Sequence, residues 1–167
     1  EPSCLFTMRD EMLAMGFGEP ARTLSEHALM FEEFLAREVR AGRCAPLLRP
    51  LGQRLLVHGH CHQKAFDAVR PLLDVLALIP DAKPELIETS CCGMAGSFGY
   101  EAEHHDISMR MAEARLLPAI REAPRDAVIV ADGTSCRHQI ADGAGRKPLH
   151  VARLLAGLIE RKQGAIT

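Results

Sequence analysis

Two adjacent cysteines, Cys91 and Cys92, open a loop that also contains Gly93, Gly96 and Gly99. A disulfide between neighbouring cysteines needs a strained peptide geometry, so an adjacent pair favours metal ligation over cross-linking. Glycines let the backbone N–H groups of a loop come close to a bound group, as they do in loops around anions or sulfur-rich clusters. The pattern therefore predicts one wall of an iron–sulfur site.

Cys61 and Cys136 are the partners that we expect for this pair. Each of the four cysteines lies just beyond the carboxyl end of a predicted strand, and in a parallel sheet these ends share the edge where ligands bind. Four thiolates suit either a tetrahedral structural zinc or an iron–sulfur cluster. The spacing does not choose between them, because the chain has no Cys-x-x-Cys pair. The simpler alternative is that these thiols pack as small hydrophobes.

Short apolar runs predict the strands that precede these cysteines, and helices are predicted between them. Strands that alternate with helices form right-handed βαβ units around a parallel sheet. We therefore predict an α/β fold with three αβα layers and a small, mostly parallel sheet. The strands are predicted at residues 54–58, 86–89 and 127–131. Helices are predicted from Pro71 to Pro80, over residues 107–117 with Pro118 as a kink or stop, and from about Pro148 onward.

The N-terminal part of the chain is also predicted to be helical. A short helix is expected within residues 5–20. The segment Thr23-Leu-Ser-Glu26 matches a capping box, in which the first side chain caps free N–H groups and the last reaches back. The apolar spacing that follows predicts a helix over residues 24–41, with Glu32 on its polar side.

The composition is that of an ordinary globular protein, with 47% apolar and 25% charged residues among 167. A net charge of −2 gives no indication of a nucleic-acid partner, and no run of about 18 apolar residues predicts a membrane span. Six cysteines without an export signal favour reduced thiols in the cytoplasm. The chain begins with Glu1-Pro-Ser-Cys4 and lacks an initiator methionine, which we interpret as a cut through a longer polypeptide.

Three segments of the chain resemble a known family. They are His58-Gly-His-Cys-His-Gln-Lys-Ala65, Cys91-Cys-Gly-Met-Ala-Gly-Ser-Phe-Gly-Tyr100 and Ala131-Asp-Gly-Thr-Ser-Cys-Arg-His-Gln139. Together they resemble the cysteine-rich CCG region of iron–sulfur oxidoreductases, such as the iron–sulfur subunit of glycolate oxidase, the C subunit of anaerobic glycerol-3-phosphate dehydrogenase and the B subunit of heterodisulfide reductase. Residues 54–160 are most similar to the C-terminal part of FAD-linked 2-hydroxyacid dehydrogenases of the D-lactate and D-2-hydroxyglutarate type.

The resemblance implies an electron-transfer domain that relays electrons from a flavin to an acceptor through a [4Fe–4S] cluster. The FAD would bind to another part of the protein, because this chain lacks the glycine fingerprint of a dinucleotide site. The isolated fragment would be inactive, and its metal site could be empty or hold zinc. The implied cluster ligands are Cys61, Cys91, Cys92 and Cys136, with the backbone N–H groups of Gly93 and Gly96 near the cluster sulfurs.

In the same family the cysteine-rich module occurs twice in tandem, and each copy ends in a cysteine that follows a strand. The start of the chain resembles such an ending, so Cys4 is expected to belong to a preceding copy, with a free packing cysteine as the alternative. Residues 1–50 are then the end of that copy plus connecting helices, and residues 51–167 are the CCG domain. The implied partners are the first copy and an FAD-binding domain, in the same or a partner chain. Cys44 matches no motif and is interpreted as structural.

The chain departs from the fullest family pattern at its last motif. Where heterodisulfide reductase has Cys-x-x-Cys, this sequence has Cys136-Arg-His-Gln139. The missing fifth cysteine favours a single four-thiolate cluster, or a site that is completed by a histidine or by the other copy. His138 is the histidine candidate from its position, and the alternative is a polar residue beyond the last ligand.

Three histidines, His58, His60 and His62, bracket Cys61. Alternate residues of an extended segment point to the same side, so we expect the histidines to face away from Cys61. This geometry argues against a single metal ligated by Cys61 and all three histidines. Hydrogen bonds and charge around the cluster are the expected role, and contact with a substrate carboxylate or a quinone edge is the alternative.

Two other functions remain open from the sequence. A zinc-stabilised structural or docking domain would use the same four cysteines for folding energy. Thiol–disulfide catalysis by Cys91 and Cys92 would be unusual, because the two thiols lack the Cys-x-x-Cys spacing.

Overall fold

The structure is a computed structural model that describes residues 1–160. Residues 161–167, the end of the predicted CCG domain, lie outside the described residues. The chain begins with four helices: α1 Pro2–Arg9, α2 Glu11–Ala14, α3 Glu19–His27 and α4 Phe31–Arg40. The remaining elements are β1 Leu55–His58, α5 Cys61–Ala65, α6 Val69–Leu76, β2 Pro84–Leu86, a 3₁₀ turn at Phe98–Tyr100, α7 His105–Glu113, α8 Leu116–Glu122, β3 Val128–Ala131, α9 Thr134–Ala144 and α10 Val151–Leu158.

The three strands form one parallel sheet in the order β2-β1-β3. Leu55 of β1 pairs with Pro84 of β2 on one side and with Val128 of β3 on the other. Pairing between β1 and β3 continues to His58, which lies opposite Ala131. All three strands therefore end at the same edge, and the predicted α/β fold with a small parallel sheet is confirmed.

Helices cover both faces of this sheet. On one face Val57 and Val130 pack with buried residues of α4, α6 and α10. On the other face Leu56 and Ile129 pack with buried residues of α8 and α9. Alternate strand residues point to opposite faces, and burying a large aliphatic side chain contributes about 1.5–3 kcal/mol. The two apolar layers therefore hold the sheet, and with it the edge where the strands end.

The N-terminal helices differ from the prediction. The predicted helix over residues 24–41 is wrong, because α3 ends at His27 and α4 begins at Phe31. The predicted capping residue, Thr23, lies inside α3, and the start of α4 is instead fixed by the Met30 N–H, which donates to the Glu33 carboxylate at 2.8 Å. Glu32 was predicted on a polar face, yet its exposed fraction is 0%. The fold therefore buries a carboxyl group that the sequence pattern places in solvent.

Strands β1 and β3 lie within the predicted ranges, whereas β2 ends earlier than predicted. The Ile87 N–H still donates to the Val57 carbonyl at 2.8 Å, which extends the contact of this segment with β1 by one residue. Pro118 neither kinks nor ends a helix, because it lies in the first turn of α8, where a backbone N–H has no intrahelical acceptor. None of the helices in the described part of the chain is long and apolar enough to cross a membrane.

Candidate metal centre

Three strand ends bring four cysteine side chains to one cavity. Cys61 is the first residue of α5 beyond β1, Cys91 and Cys92 lie in the loop beyond β2, and Cys136 lies in the first turn of α9 beyond β3. The cavity has a volume of about 340 Å³, and all four cysteines line it. The structure therefore brings together the four residues that the sequence analysis expected as metal ligands.

The four sulfur atoms form two contacting pairs, Cys61 with Cys91 and Cys92 with Cys136, and Cys91 also contacts Cys92. The Sγ atoms of Cys92 and Cys136 are 3.3 Å apart, and the thiols of Cys61 and Cys91 form the second pair. The bond with Cys92 lowers the pKa of the Cys136 thiol to about 5, although burial opposes this shift. The bond with Cys61 likewise lowers the pKa of Cys91. Because thiolates rather than thiols bind metals, one sulfur of each pair is prepared for a cation.

The same contacts raise the pKa values of the other two thiols, Cys61 and Cys92. The contact with Cys91 is the main reason for the raised pKa of Cys61, and the contact with Cys136 is the main reason for that of Cys92. Burial of both thiols acts in the same direction. These two thiols would therefore release their protons when a cation arrives, so metal binding at this cavity is expected to weaken at acidic pH.

The loop that carries Cys91 has an unusual backbone. Gly93, Ala95 and Gly96 all have positive φ angles, of 92°, 42° and 70°. A Cβ atom at Gly93 would lie 2.1 Å from the carbonyl oxygen of Ser108, so only glycine fits there. In this conformation the Gly93 N–H donates to the Cys91 Sγ at 3.3 Å. A positive φ angle is uncommon for a non-glycine residue such as Ala95, so packing around the loop must hold it there.

Two polar side chains hold the backbone on either side of the cysteine pair. Lys64 Nζ donates to the carbonyl oxygens of Thr89 at 2.6 Å and Ser90 at 3.0 Å. The buried Gln139 donates through Nε2 to the carbonyl oxygen of Cys92 at 2.9 Å. The loop is thereby fixed to α5 on one side and to α9 on the other, the two helices that carry the remaining cysteines.

His58, the last residue of β1, is buried behind the cavity with 1% of its surface exposed. A ring nitrogen of His58 and the sulfur atoms of Cys92 and Cys136 all lie within 4.8 Å of one another. The Nδ1 atom lies 3.2 Å from the Thr89 hydroxyl. The Nε2 atom has no hydrogen-bond partner within residues 1–160. His58 therefore offers one nitrogen to the sulfur atoms, either as a ligand or as an N–H donor.

The expected extended arrangement of the histidines is wrong, because α5 begins at Cys61. The ligand atoms of His60, Cys61 and His62 lie within 4.8 Å of one another. The rings of His60 and His62 stack with their centroids 5.2 Å apart, and both residues line the cavity. His60 caps the helix through its Nδ1, which accepts from the His62 N–H at 3.2 Å. His60 and His62 thus lie beside Cys61 instead of facing away from it.

Two other predicted candidates do not line the cavity. His138 is exposed on α9, where its Nδ1 hydrogen-bonds with the Tyr100 hydroxyl. It follows Cys136 by two residues, a rotation of about 200° around a helix, so the two side chains face opposite sides. Cys4 is exposed on α1, and Cys44 is half-buried outside the cavity. The histidines near the cysteines are those of the first motif and not that of the last.

A buried polar network that the sequence analysis missed lies behind α5. The Gln63 Oε1 accepts from the His60 N–H at 2.9 Å. Its Nε2 donates to Glu32 Oε1 at 2.7 Å and lies 3.2 Å from Asp132 Oδ2. Asp132 Oδ1 in turn accepts from the Val151 N–H at 3.0 Å. The network ties α4, α5 and the end of β3 together, and it fixes the backbone of His60.

Glu32 is a member of this network with a strongly raised pKa. Burial, followed by the nearby charge of Asp132, raises the pKa of Glu32 to about 8. Its Oε2 atom is buried without a hydrogen-bond partner among the described residues. Both observations favour a protonated carboxyl group at neutral pH, because a charge without a partner is costly to bury.

Replacing Glu32 by glutamine, which resembles the protonated acid, is therefore expected to flatten the pH dependence of stability. The pKa of Glu32 rises from 4.5 to about 8 on folding. The stability that the protonated Glu32 contributes is thus fully present below pH 4.5 and is lost as the pH rises from 4.5 to about 8. Above that range the free energy of unfolding is lower by on the order of a few kcal/mol. Urea unfolding of the metal-free protein between pH 5 and pH 9 measures this pH dependence of the free energy of unfolding.

Glu122→Gln is the matched control for this experiment, because Glu122 is exposed. We expect Glu32→Gln to be more stable than the wild type at pH 8 and above, with the difference shrinking toward pH 5. Glu122→Gln should follow the wild-type curve. A Glu32→Gln curve parallel to that of the wild type would show that Glu32 does not change its protonation between these pH values.

The donor chemistry of the cavity fits a thiolate-ligated metal group. Four cysteine sulfurs line it, two of them with lowered pKa values. Two buried ring nitrogens beside it, Nε2 of His58 and Nδ1 of His62, have no hydrogen-bond partner in residues 1–160. Four thiolates are the ligand set of both a [4Fe–4S] cluster and a tetrahedral zinc ion.

Comparisons with known proteins identify redox enzymes as relatives. The chain is 28% identical over 154 residues to the C subunit of the anaerobic glycerol-3-phosphate dehydrogenase of Escherichia coli, a match that covers 92% of this chain. It is 27% identical over 161 residues to the D-2-hydroxyglutarate dehydrogenase of Escherichia coli, which covers 96% of this chain. The D-2-hydroxyglutarate dehydrogenase of Pantoea ananatis is 35% identical over 78 residues, or 47% of this chain. No protein-family model and no solved structure matches the chain.

The chain spans less than half the length of each of these relatives. The chain spans 38% of the length of the glycerol-3-phosphate dehydrogenase C subunit and 15% of the Escherichia coli D-2-hydroxyglutarate dehydrogenase. The three cysteine motifs predicted a similarity to both of these types of protein. The predicted resemblance is therefore confirmed.

Proposed function

This chain is homologous to the C subunit of anaerobic glycerol-3-phosphate dehydrogenase and to D-2-hydroxyglutarate dehydrogenase, and on that premise we propose that it is an iron–sulfur electron-transfer domain of an FAD-linked oxidoreductase. The single observation that carries the proposal is the meeting of four cysteines from three strand ends in one cavity. The ligands would be Cys61, Cys91, Cys92 and Cys136. A [4Fe–4S] cluster, when bound there, supplies a carrier for single electrons.

The residues of this chain have three tasks in such a relay. The strand ends and the first turns of α5 and α9 hold the sulfur atoms within one cavity. The hydrogen bonds within each thiol pair favour a thiolate at Cys91 and at Cys136. The Gly93 N–H, which already donates to the Cys91 sulfur, stabilises its negative charge. Each of these effects favours a bound cationic metal group.

The flavin and the substrate would belong to other parts of the oxidoreductase. The proposed partners are an FAD-binding domain and a first copy of the cysteine-rich module, in the same or a partner chain. The flavin would take a hydride from a 2-hydroxyacid and pass single electrons to this domain, which would pass them to an acceptor. Support for the substrate class comes from two relatives, whose names specify D-2-hydroxyglutarate.

Reduction of the iron-loaded chain tests the relay. After anaerobic reconstitution with iron and sulfide, the protein is expected to show broad visible absorbance that bleaches on reduction, together with a paramagnetic signal of the reduced cluster. Cys91→Ser should lose both signals because it removes a ligand, while Cys4→Ser, at an exposed position outside the cavity, should keep them. A Cys91→Ser protein with an unchanged signal would rule out Cys91 as a ligand.

The same substitution in the intact oxidoreductase separates the relay from the flavin chemistry. We expect Cys91→Ser to abolish reduction of the acceptor while substrate still reduces the flavin at the wild-type rate. Stopped-flow absorbance of the flavin, followed by turnover with an artificial acceptor, measures the two steps. Loss of both steps would contradict a role limited to electron transfer.

One observation favours a second function, a zinc-stabilised docking domain. The Cys92 and Cys136 sulfurs are 3.3 Å apart. In a tetrahedral zinc site with Zn–S bonds of about 2.3 Å, neighbouring sulfurs lie about 3.8 Å apart, so this pair is already close to zinc geometry. A chelator would then unfold the domain, and the reduced protein would have no paramagnetic signal.

A further inference from the structure

A chain of polar contacts leads from the protein surface to the buried cysteines, and it begins at Lys64. Its Nζ atom lies within 3.1 Å of three oxygens: the Thr89 carbonyl, the Thr89 hydroxyl and the Ser90 carbonyl. A lysine ammonium has three N–H donors and cannot accept a hydrogen bond. All three N–H groups therefore have an acceptor, and the Thr89 hydroxyl oxygen accepts one of them.

The next question is which atom accepts the hydroxyl proton of Thr89. Besides Lys64, the hydroxyl has one partner among the described residues, the Nδ1 of His58 at 3.2 Å. The arrangement in which every polar atom of Lys64 and Thr89 has a partner among the described residues is the one in which this proton is donated to Nδ1. Nδ1 is then an acceptor, and a neutral imidazole whose Nδ1 accepts carries its own proton on Nε2.

The Nε2 of His58 is buried and has no hydrogen-bond partner, sulfur included, within residues 1–160. A ring nitrogen of His58 lies within 4.8 Å of the sulfurs of Cys92 and Cys136, and the contact with His58 helps to lower the pKa of the Cys136 thiol. Both cysteines are at most 3% exposed, so water does not compete for this N–H group.

We propose that His58 is an N–H···S donor to Cys136 and not a metal ligand, and that Lys64 and Thr89 fix it in the Nε2–H tautomer. Thr89 and Lys64 are thus positioning residues that act through His58. The consequence for a bound cluster rests on the proposed function. Reduction would add negative charge to a bound cluster, and an N–H donor to a ligand sulfur would stabilise that charge, so the Lys64–Thr89–His58 contacts would raise the reduction potential.

Thr89→Val and Thr89→Ser form a matched pair for the test. Valine keeps the shape of threonine and removes the hydroxyl, whereas serine keeps the hydroxyl. We would record long-range ¹H–¹⁵N correlation spectra of the metal-free, reduced 167-residue chain with ¹⁵N-labelled histidine. His58→Asn identifies the His58 signals among those of the eight histidines.

In the wild type, His58 is expected to carry its proton on Nε2, with an Nδ1 resonance shifted by the hydrogen bond from Thr89. Thr89→Val should move the Nδ1 resonance toward that of a free acceptor nitrogen, and Thr89→Ser should leave it in place. A proton on Nδ1 in the wild type would overturn the proposal, as would an Nδ1 resonance that does not move in Thr89→Val. The wild-type spectrum decides the tautomer even if Thr89→Val does not fold.

Loading the chain with metal separates a donor from a ligand. A donor keeps its Nε2 proton after zinc or iron is added, whereas a ligand loses that proton, and its loss would overturn the proposal. In the iron-loaded chain the midpoint potential of Thr89→Val should lie below that of the wild type, with Thr89→Ser near the wild type. A chain that binds no iron and no sulfide would contradict the proposed function while leaving the tautomer result valid.

Discussion

The Cys136→Ser protein is expected to bind iron and sulfide far more weakly than the wild type. Cys136 is 2% exposed, and its thiol has a pKa lowered to about 5 by the contact with Cys92. Serine cannot supply a thiolate, so the variant would lose one of four ligands and the negative charge of the Cys136 thiolate beside Cys92. Removal of a residue that only orients a ligand typically costs 10–100-fold in metal affinity. We therefore expect a loss of more than about 100-fold for this ligand.

Cys44→Ser provides the control for this experiment, because Cys44 is half-buried outside the cavity. Its metal and sulfide content should equal that of the wild type. Titration with a competing chelator, followed by absorbance, gives the affinity of each variant. Equal affinities for Cys136→Ser and the wild type would place the metal elsewhere in the protein.

The second large effect is expected from Gly93→Ala. A Cβ atom at this position would lie 2.1 Å from the Ser108 carbonyl oxygen, and the φ angle of 92° is one that alanine rarely adopts. Backbone of α7 blocks the new atom, so a side-chain rotation cannot relieve the clash. We expect a loss of at least about 3 kcal/mol in the free energy of unfolding, or a displaced loop that no longer holds the metal. Urea unfolding and metal content together measure both outcomes.

Gly96→Ala is the matched substitution in the same loop. Its φ angle of 70° is also left-handed, but a Cβ atom there would meet nothing within 4 Å. This variant should therefore lose only the backbone preference, about 1–2 kcal/mol, and keep the metal site. If the two alanine variants lost equal stability, the contact with Ser108 would not be what requires glycine at position 93.

The convergence of the four cysteines could be predicted from the sequence because it depends mainly on where the strands end. Short apolar runs predict β1 and β3, and parallel strands deliver whatever follows them to the same edge. The prediction tolerated an error in β2, which ends at Leu86 instead of residue 89. Cys91 still reaches the edge, because an irregular stretch, residues 87–90, joins it to the strand.

The histidines of the first motif could not be placed from the sequence, because α5 is too short to show an apolar period. It has five residues, and its start is fixed by the His60 side chain, which accepts from the His62 N–H. A helix turns successive residues by about 100°, whereas a strand turns them by about 180°. His60 and His62 therefore lie beside Cys61, where an extended segment would have placed them on the opposite side.

The burial of Glu32 was invisible for a different reason. Its partner Gln63 is 31 residues away, and Gln63 and Asp132 are 69 residues apart. A pattern within one helix assigns a carboxylate to the solvent face, since charged groups are costly to bury without partners. Here a distant amide offers a hydrogen bond and burial favours the neutral acid, so tertiary contacts reverse the local preference.

The metal and acid-labile sulfide content of the anaerobically reconstituted chain tests the central claim most directly. If Cys61, Cys91, Cys92 and Cys136 hold a four-iron cluster, the protein will contain about four iron and about four sulfide per chain. One zinc ion per chain without sulfide, retained under the same conditions, would contradict an electron-transfer role and support the docking domain.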